Sequence, residues 1–154
     1  MEIRLDDLTG EATIALVHAH LAHMAEVTPA ESIYALDHSG LQAPDVTFWS
    51  VWDEGKIIGC AALREIDPTH GEIKSMHTVK ERRGTGIARK VLTFILAEAR
   101  KRGYSRVSLE TGHTAAFAAA QRLYAGAGFT ECGPIPGYSP DHHSYFMTLE
   151  LPPD

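Results

Sequence analysis

"HTVKERRGTGIARKVL", residues 77–92, sets two glycines one residue apart between a β-like run and a helical run rich in arginine and lysine. A strand that turns straight into a helix leaves the helix's first backbone N–H groups without partners. The helix dipole adds partial positive charge at the same end. Gly84 and Gly86 allow the bend and let the backbone approach a ligand without a Cβ in the way. The turn is therefore either purely structural or an anion site of the phosphate-binding kind. Two better-known phosphate loops do not fit. A Walker A loop ends in GK[ST], which is absent, and the dinucleotide fingerprint needs a small residue where Arg89 stands.

Charge sharpens the question. Ten of the fourteen Lys and Arg lie between Lys74 and Arg106, opposed only by Glu81 and Glu98, so this segment carries about +8 and the rest of the chain about −14. Part of that excess is a solvated helix face, but the arginines crowd the glycine turn and favour an anion there. A nucleic-acid surface is excluded because the acidic remainder repels phosphates and no aromatic-basic interleaving occurs.

The 154 residues read as one domain. No apolar run approaches the roughly 18 residues of a membrane span, and "MEIRLDDLTG" does not read as a secretory signal. Cys60 and Cys132 lack metal or disulfide spacing and sit in strand-like segments with nothing near them to activate a thiolate. A cytoplasmic setting without membrane contact is the expectation.

"TGEATIALVHAHLAHMAEV" reads as a first helix with Ile14, Val17, Leu21 and Met24 on its inner face. "TPAESIYALDHSG" reads as a second, capped by Thr28. "VTFWSVW" and "KIIGCAAL" form a hairpin, "EIKSMHTV" the next strand, and "RVSLET" another. Ile87, Val91, Ile95 and Ala99 mark one face of the helix after the glycine turn. "TAAFAAAQRLYAGAG" is a further helix, and "FTECG" and "SYFMTLEL" close the chain as strands. The order implies an α/β domain with a mixed sheet flanked by helices.

Four segments in this order carry a resemblance. "ERRGTGIARKVL" resembles the acyl-CoA-binding motif Q/R-x-x-G-x-G/A of the GNAT superfamily of N-acetyltransferases. "GEIKSMHTV" resembles that superfamily's fourth strand, "YSRVSLETG" its fifth, and "AAAQRLYAGAGF" its pattern A-x-x-L-Y-x-x-x-G-F. The resemblance covers residues 47–150, an acyl-CoA-binding core, and leaves residues 1–46 as a helical region on the acceptor side. It implies a mostly antiparallel sheet whose central strands splay into a cleft. Pantetheine would lie there against the backbone of His77, Thr78 and Val79. The N–H groups of Arg83, Gly84, Thr85, Gly86, Ile87 and Ala88 would cradle the pyrophosphate, with Arg82, Arg83 or Arg89 adding charge. Glu81 stands in the Q/R slot and Phe117 where an Asn is common, so contacts from those two side chains drop out.

The implied activity is transfer of acetyl from acetyl-CoA, the co-substrate, to a primary amine by direct attack. Tyr124 matches the tyrosine that protonates the departing thiolate. Glu72 is the expected base, with His77, Glu110 or a water relay left open. His18, His20 and His23 form H-x-H-x-x-H, but only His20 and His23 share a helix face, so no metal is expected. "SPDHHSYF", with His142 and His143, flanks the acceptor, and Trp49, Trp52 and Tyr34 are candidate apolar contacts. The acceptor expected is a small-molecule amine. A peptide lysine, a non-catalytic acyl-CoA sensor, an unrelated nucleotide-binding module and a homodimer stay open.

Overall fold

A computed structural model describes residues 1–153. Seven strands form one sheet in the order β1-β2-β3-β4-β5-β7-β6. They are β1 (Glu2–Leu5), β2 (Val46–Asp53), β3 (Lys56–Asp67), β4 (His70–Thr78), β5 (Arg106–Gly112), β6 (Thr130–Cys132) and β7 (Ser144–Glu150). Every neighbouring pair is antiparallel except β4 and β5. Parallel neighbours need a crossover, which the helix after the glycine turn supplies. The helices are α1 (Glu11–Val27), a single turn α2 (His38–Leu41), α3 (Ile87–Lys101) and α4 (Ala118–Gly126).

The helix after the glycine turn forms as its pattern dictates. Ile87, Val91, Ile95 and Ala99 are all buried, joined by Leu92 and Leu96, and they pack on Trp49, Leu63, Val107 and Leu109 of the sheet. On the opposite face α1 covers Phe48, Cys60 and Ala62 with Leu16 and Val17. Three expectations need correction. β1 was not foreseen, and its Arg4 and Glu2 pair with each other on the exposed edge. The second helix is reduced to a 3₁₀ turn at Ala30–Ser32 and the short α2, with extended chain between. The inner face of α1 is Thr13, Leu16, Val17 and His20 rather than the purely apolar set. Thr13 Oγ1 donates to Asp6 at 2.8 Å and His20 meets His77, so two polar residues are buried with partners.

Strands β4 and β5 pair only from His70↔Arg106 to Ile73↔Leu109. Beyond that point they part. The divergence coincides with a bulge: β4 carries one extra residue opposite Ala61 of β3, and Ser75 takes φ +51°. A bulge bends its strand and raises the local twist. Among the described residues no helix is long and apolar enough to cross a membrane.

Ile95, fully buried at the centre of α3, reports on this packing. Ile95→Ala should cost about 2–5 kcal/mol of unfolding free energy, read from the midpoint of a urea titration.

Candidate active site

The parting of β4 and β5 opens a cavity of about 660 Å³, bounded also by α1, residues 28–35, the start of α4 and the loop before β7. A shallower hollow of about 770 Å³ lies along β1 and the start of α1. There Asp6 accepts from Leu8 N–H and Thr13, and Asp7 accepts from Thr9. The cleft, which lies between the parted strands and beside the glycine turn, is the candidate site.

At one end of the cleft stands the glycine turn. Gly84 and Gly86 have φ of +77° and +87°, and a Cβ on either would meet nothing within 4 Å. Glycine is needed there for the left-handed backbone rather than for space. Gly86 caps α3 without any side-chain bond, and the first intrahelical bond is Lys90 N–H to Gly86 O at 3.3 Å. The amides of Ile87, Ala88 and Arg89 thus have no backbone acceptor and form the donor end of an anion site. Arg83 differs from the sequence expectation, because its amide donates back to Lys80 O at 3.3 Å. The arginines also divide. Arg82 is held by Asp53 at 2.8 Å, and Arg83 Nε donates to Thr78 O at 3.1 Å. Arg89 makes no ion pair among the described residues and is exposed on the first turn of α3 beside the cleft.

Along the β4 edge, the amide of Val79 donates to Ile58 O of β3 at 2.9 Å. It faces away from the cleft, a further departure from expectation. Strand alternation turns the backbone of Thr78 toward the gap instead. The His77 ring lies 3.2 Å, Nδ1 to Nδ1, from that of His20 on α1. Burial, reinforced by His23 and Arg83, holds His20 at about 4, and burial, reinforced by His20, Arg83 and His23, holds His77 at about 3.

Tyr124 reaches the cleft from α4. It is buried, and its hydroxyl donates only to the Met76 thioether sulfur, 3.6 Å away. That is a weak acceptor, so the proton is available to a better one. Burial pushes the phenol up to about 12, which keeps it protonated at neutral pH.

Glu72, the expected base, lies on the floor with no exposed surface. One oxygen accepts from Arg64 Nε at 2.8 Å and Nη2 at 2.7 Å; the other accepts from Tyr138 Oη and lies 3.6 Å from Lys74 Nζ. Lys74 Nζ donates to Tyr34 O at 2.9 Å and Tyr138 Oη at 2.6 Å. Glu72 is thus an anchor for two cations and a phenol. Glu110, on β5, faces the same cleft.

Arg64 and Tyr138 were not foreseen in this role. The charge pairing of Glu72 with a neighbouring lysine has a local signal in "EIK", whereas Tyr138 comes from a loop with none. Tyr34 and His143 line the cleft as expected of the acceptor side, but Trp49 lies in the core under α3 and neither Trp49 nor Trp52 borders the cleft. His18 is exposed on α1. Among the described residues no three His, Cys, Asp or Glu side chains gather with metal-binding geometry.

A sheet parted between its parallel strands, with a glycine turn at the mouth and a buried phenol across from it, is the arrangement that the sequence resemblance implies. The chain belongs to the acetyltransferase (GNAT) family, whose profile matches residues 14–129. It is 48% identical over 151 residues to the uncharacterized N-acetyltransferase YsnE of Bacillus subtilis, covering 98% of this chain and 100% of that protein. It is 36% identical over 142 residues to an IAA acetyltransferase of Azospirillum brasilense, covering 92% of each. Among solved structures, a GNAT acetyltransferase of Elizabethkingia anophelis with acetyl-CoA bound shares the fold at a TM-score of 0.68 and 16% identity, over 97% of both chains.

The His20–His77 contact gives stability a pH dependence. Folded, both rings stay neutral to well below their ordinary 6.5; unfolded, they take up protons near that value. The unfolded state then binds more protons as pH falls below about 6.5, so this contribution to stability is lost on acidification. Glu110, raised by burial, acts in the opposite sense. The difference between wild type and His77→Gln isolates the histidine part. Lowering pH from 7 to 5 should destabilise wild type more than His77→Gln by on the order of 1 kcal/mol, measured by urea unfolding at each pH.

Proposed function

We propose that this protein transfers acetyl from acetyl-CoA to the primary amine of a small molecule, by direct attack of the amine on the thioester. One observation carries the reading: the β4–β5 cleft ends on the free amides of Ile87, Ala88 and Arg89, with the Tyr124 hydroxyl inside it. The donor set fits the co-substrate. The amides and the Arg89 guanidinium hold the pyrophosphate, Gly84, Thr85 and Gly86 keep the turn open, and the Thr78 backbone aligns the pantetheine arm with His77 alongside. When bound, acetyl-CoA supplies an activated carbonyl and a sulfur leaving group.

Tyr124 gives its proton to the departing sulfur. Its burial among apolar neighbours, including Phe129 at a ring separation of 5.7 Å, keeps that proton in place until a stronger acceptor arrives. Glu72 serves here as the anchor that orients Lys74 rather than as the base, because both its oxygens are engaged. The acceptor side supports a small molecule over a peptide. Tyr34 and Tyr138, with ring centroids 5.0 Å apart, line one side of the cleft together with Ile33 and His143. The name of the Azospirillum relative, an IAA acetyltransferase, agrees with a small acceptor. Two free cysteines, Cys60 buried and Cys132 half-buried, suit a reducing cytoplasm.

Calorimetric titration tests the cradle. Acetyl-CoA should bind at micromolar concentration while ATP and NAD do not; no acetyl-CoA binding by folded protein would overturn the reading. Tyr124→Phe should lower kcat about 100-fold, with the acetyl-CoA Kd within roughly threefold of wild type. Equal loss of both would remove Tyr124 as the acid.

A further inference from the structure

The Tyr124 hydroxyl has one hydrogen-bond acceptor among the described residues, the Met76 sulfur at 3.6 Å. Phe129 lies edge-on to its ring, and no charged side chain acts on the phenol. A thioether accepts weakly, so a stronger acceptor placed at that sulfur would hold the phenol's proton. Met76 is set for such a change. It follows the bulged Ser75 on the stretch of β4 beyond the last β4–β5 pair, Ile73↔Leu109. It is half-buried, packs on the edge of the core under α3 and lines the cleft, where a molecule as small as a peroxide reaches it. The other methionines differ. Met147 is 2% exposed, Met1 lies outside the cleft, and Met24 lines the cleft from α1 but is no partner of Tyr124.

We propose that Met76 is an oxidation site that switches the Tyr124 acid off. As the sulfoxide it takes the phenol's proton into a strong hydrogen bond and withholds it from the departing thiolate. The reagent is a two-electron oxidant of the peroxide class. The thioether sulfur attacks one peroxide oxygen, an S–O bond forms and the O–O bond breaks. Hydroxide leaves and removes the proton from the sulfur-bound oxygen, giving water. Sulfur loses two electrons and the peroxide gains them. The new oxygen projects from a sulfur already 3.6 Å from the hydroxyl, so it comes within hydrogen-bonding reach, and it is a far better acceptor than the thioether. Methionine sulfoxide reductases reverse the step. The effect on catalysis rests on the acetyltransferase reading above, whereas the bond between oxidised Met76 and Tyr124 does not.

The test treats the purified protein with hydrogen peroxide and locates the added oxygen by peptide mass spectrometry. Dithiothreitol then reverses cysteine oxidation and is removed. Tyrosine ¹³Cζ NMR, with Tyr124→Phe identifying the resonance, should show Tyr124 moving downfield as Met76 oxidises and returning after reductase treatment. In parallel, thiol release is followed with acetyl-CoA and 2-phenylethylamine as probe amine. Oxidation should lower kcat at least about tenfold while the acetyl-CoA Kd stays within roughly threefold. The residual rate of Tyr124→Phe should change less than about twofold on the same treatment, because the group that the sulfoxide captures is already gone. An equal fall in Tyr124→Phe would mean that the sulfoxide only obstructs the cleft, and would overturn the proposal. Each against its own untreated rate, Met76→Leu should resist peroxide and Met24→Leu should stay sensitive; the reverse pattern overturns the proposal too. So does a Tyr124 resonance that stays put when Met76 is fully oxidised. Absent acetyl-CoA binding by untreated protein would instead sink the acetyltransferase reading, and the NMR shift still judges the bond from Tyr124 to oxidised Met76.

Discussion

The chemistry of this fold depends on the parting of β4 from β5 after Ile73 and Leu109. Adjacent strands normally satisfy each other's amides and carbonyls, and a buried backbone group left unpaired is costly. Here the bulge at Ser75 bends β4 away while β5 stays paired with β7 along its full length, so the gap opens on one side only. The facing edges are left to solvent or to a ligand that presents amides of its own. The same bend directs β4 into the glycine turn, whose left-handed Gly84 and Gly86 aim the first amides of α3 at the gap. One backbone event thus supplies both a strand-like seat and an anion site at its end.

The opening leaves two charged residues, Glu72 and Lys74, buried beside it on one face of the sheet. Removing Glu72 from water entirely is unfavourable unless its partners are well placed. It accepts from a guanidinium on one oxygen and a phenol on the other, with an ammonium close by. A hydrophobic floor of the same volume would satisfy packing equally, which points to orientation as what the network contributes. Lys74 is fixed by three partners, Tyr34 O, Tyr138 Oη and Glu72, drawn from separate parts of the chain. Through them the loop before β7 and the segment after α1 are tied to β4, so the wall of the acceptor site and its charge are set together.

Much of this was legible because the informative residues are neighbours in the chain. The four-residue spacing of Ile87, Val91, Ile95 and Ala99 gave the α3 face, and two glycines after a β-like run located the turn. What escaped depends on contacts distant in sequence. The inner face of α1 includes Thr13 and His20, which no apolar pattern selects; their partners Asp6 and His77 lie on other elements. A second helix through Tyr34 is favoured locally, yet the Tyr34 carbonyl accepts from Lys74 and its hydroxyl donates to Asp141, contacts that extended chain provides. β1 is four residues long and two of its side chains are charged, so only its pairing with β2 marks it. The row Arg64, Glu72, Lys74 and Glu110 exists through sheet register alone. So does the assignment of Val79, whose amide turned out to serve β3 because strand alternation, unlike motif position, decides which edge an amide faces.

Burial acts on Tyr124 and Glu110 in the same direction, with different consequences for their charge. Tyr124 is raised to about 12 by desolvation alone, with no charged neighbour to lower it, so its proton stays in place at neutral pH. Glu110 is raised to about 7 by the same effect, moderated first by the Ser144 hydroxyl and then by Lys74, so its carboxylate gains basicity without being permanently protonated. An exposed phenol would exchange its proton with solvent, and an exposed carboxylate would be too weak to draw one from an amine. Had the cleft been lined by a second ammonium near Glu110, the carboxyl would fall toward its ordinary range and lose strength as a base. Tyr124 on α4 and Glu110 on β5 thus owe their raised values to the same cause, and only the carboxyl has polar neighbours that temper it.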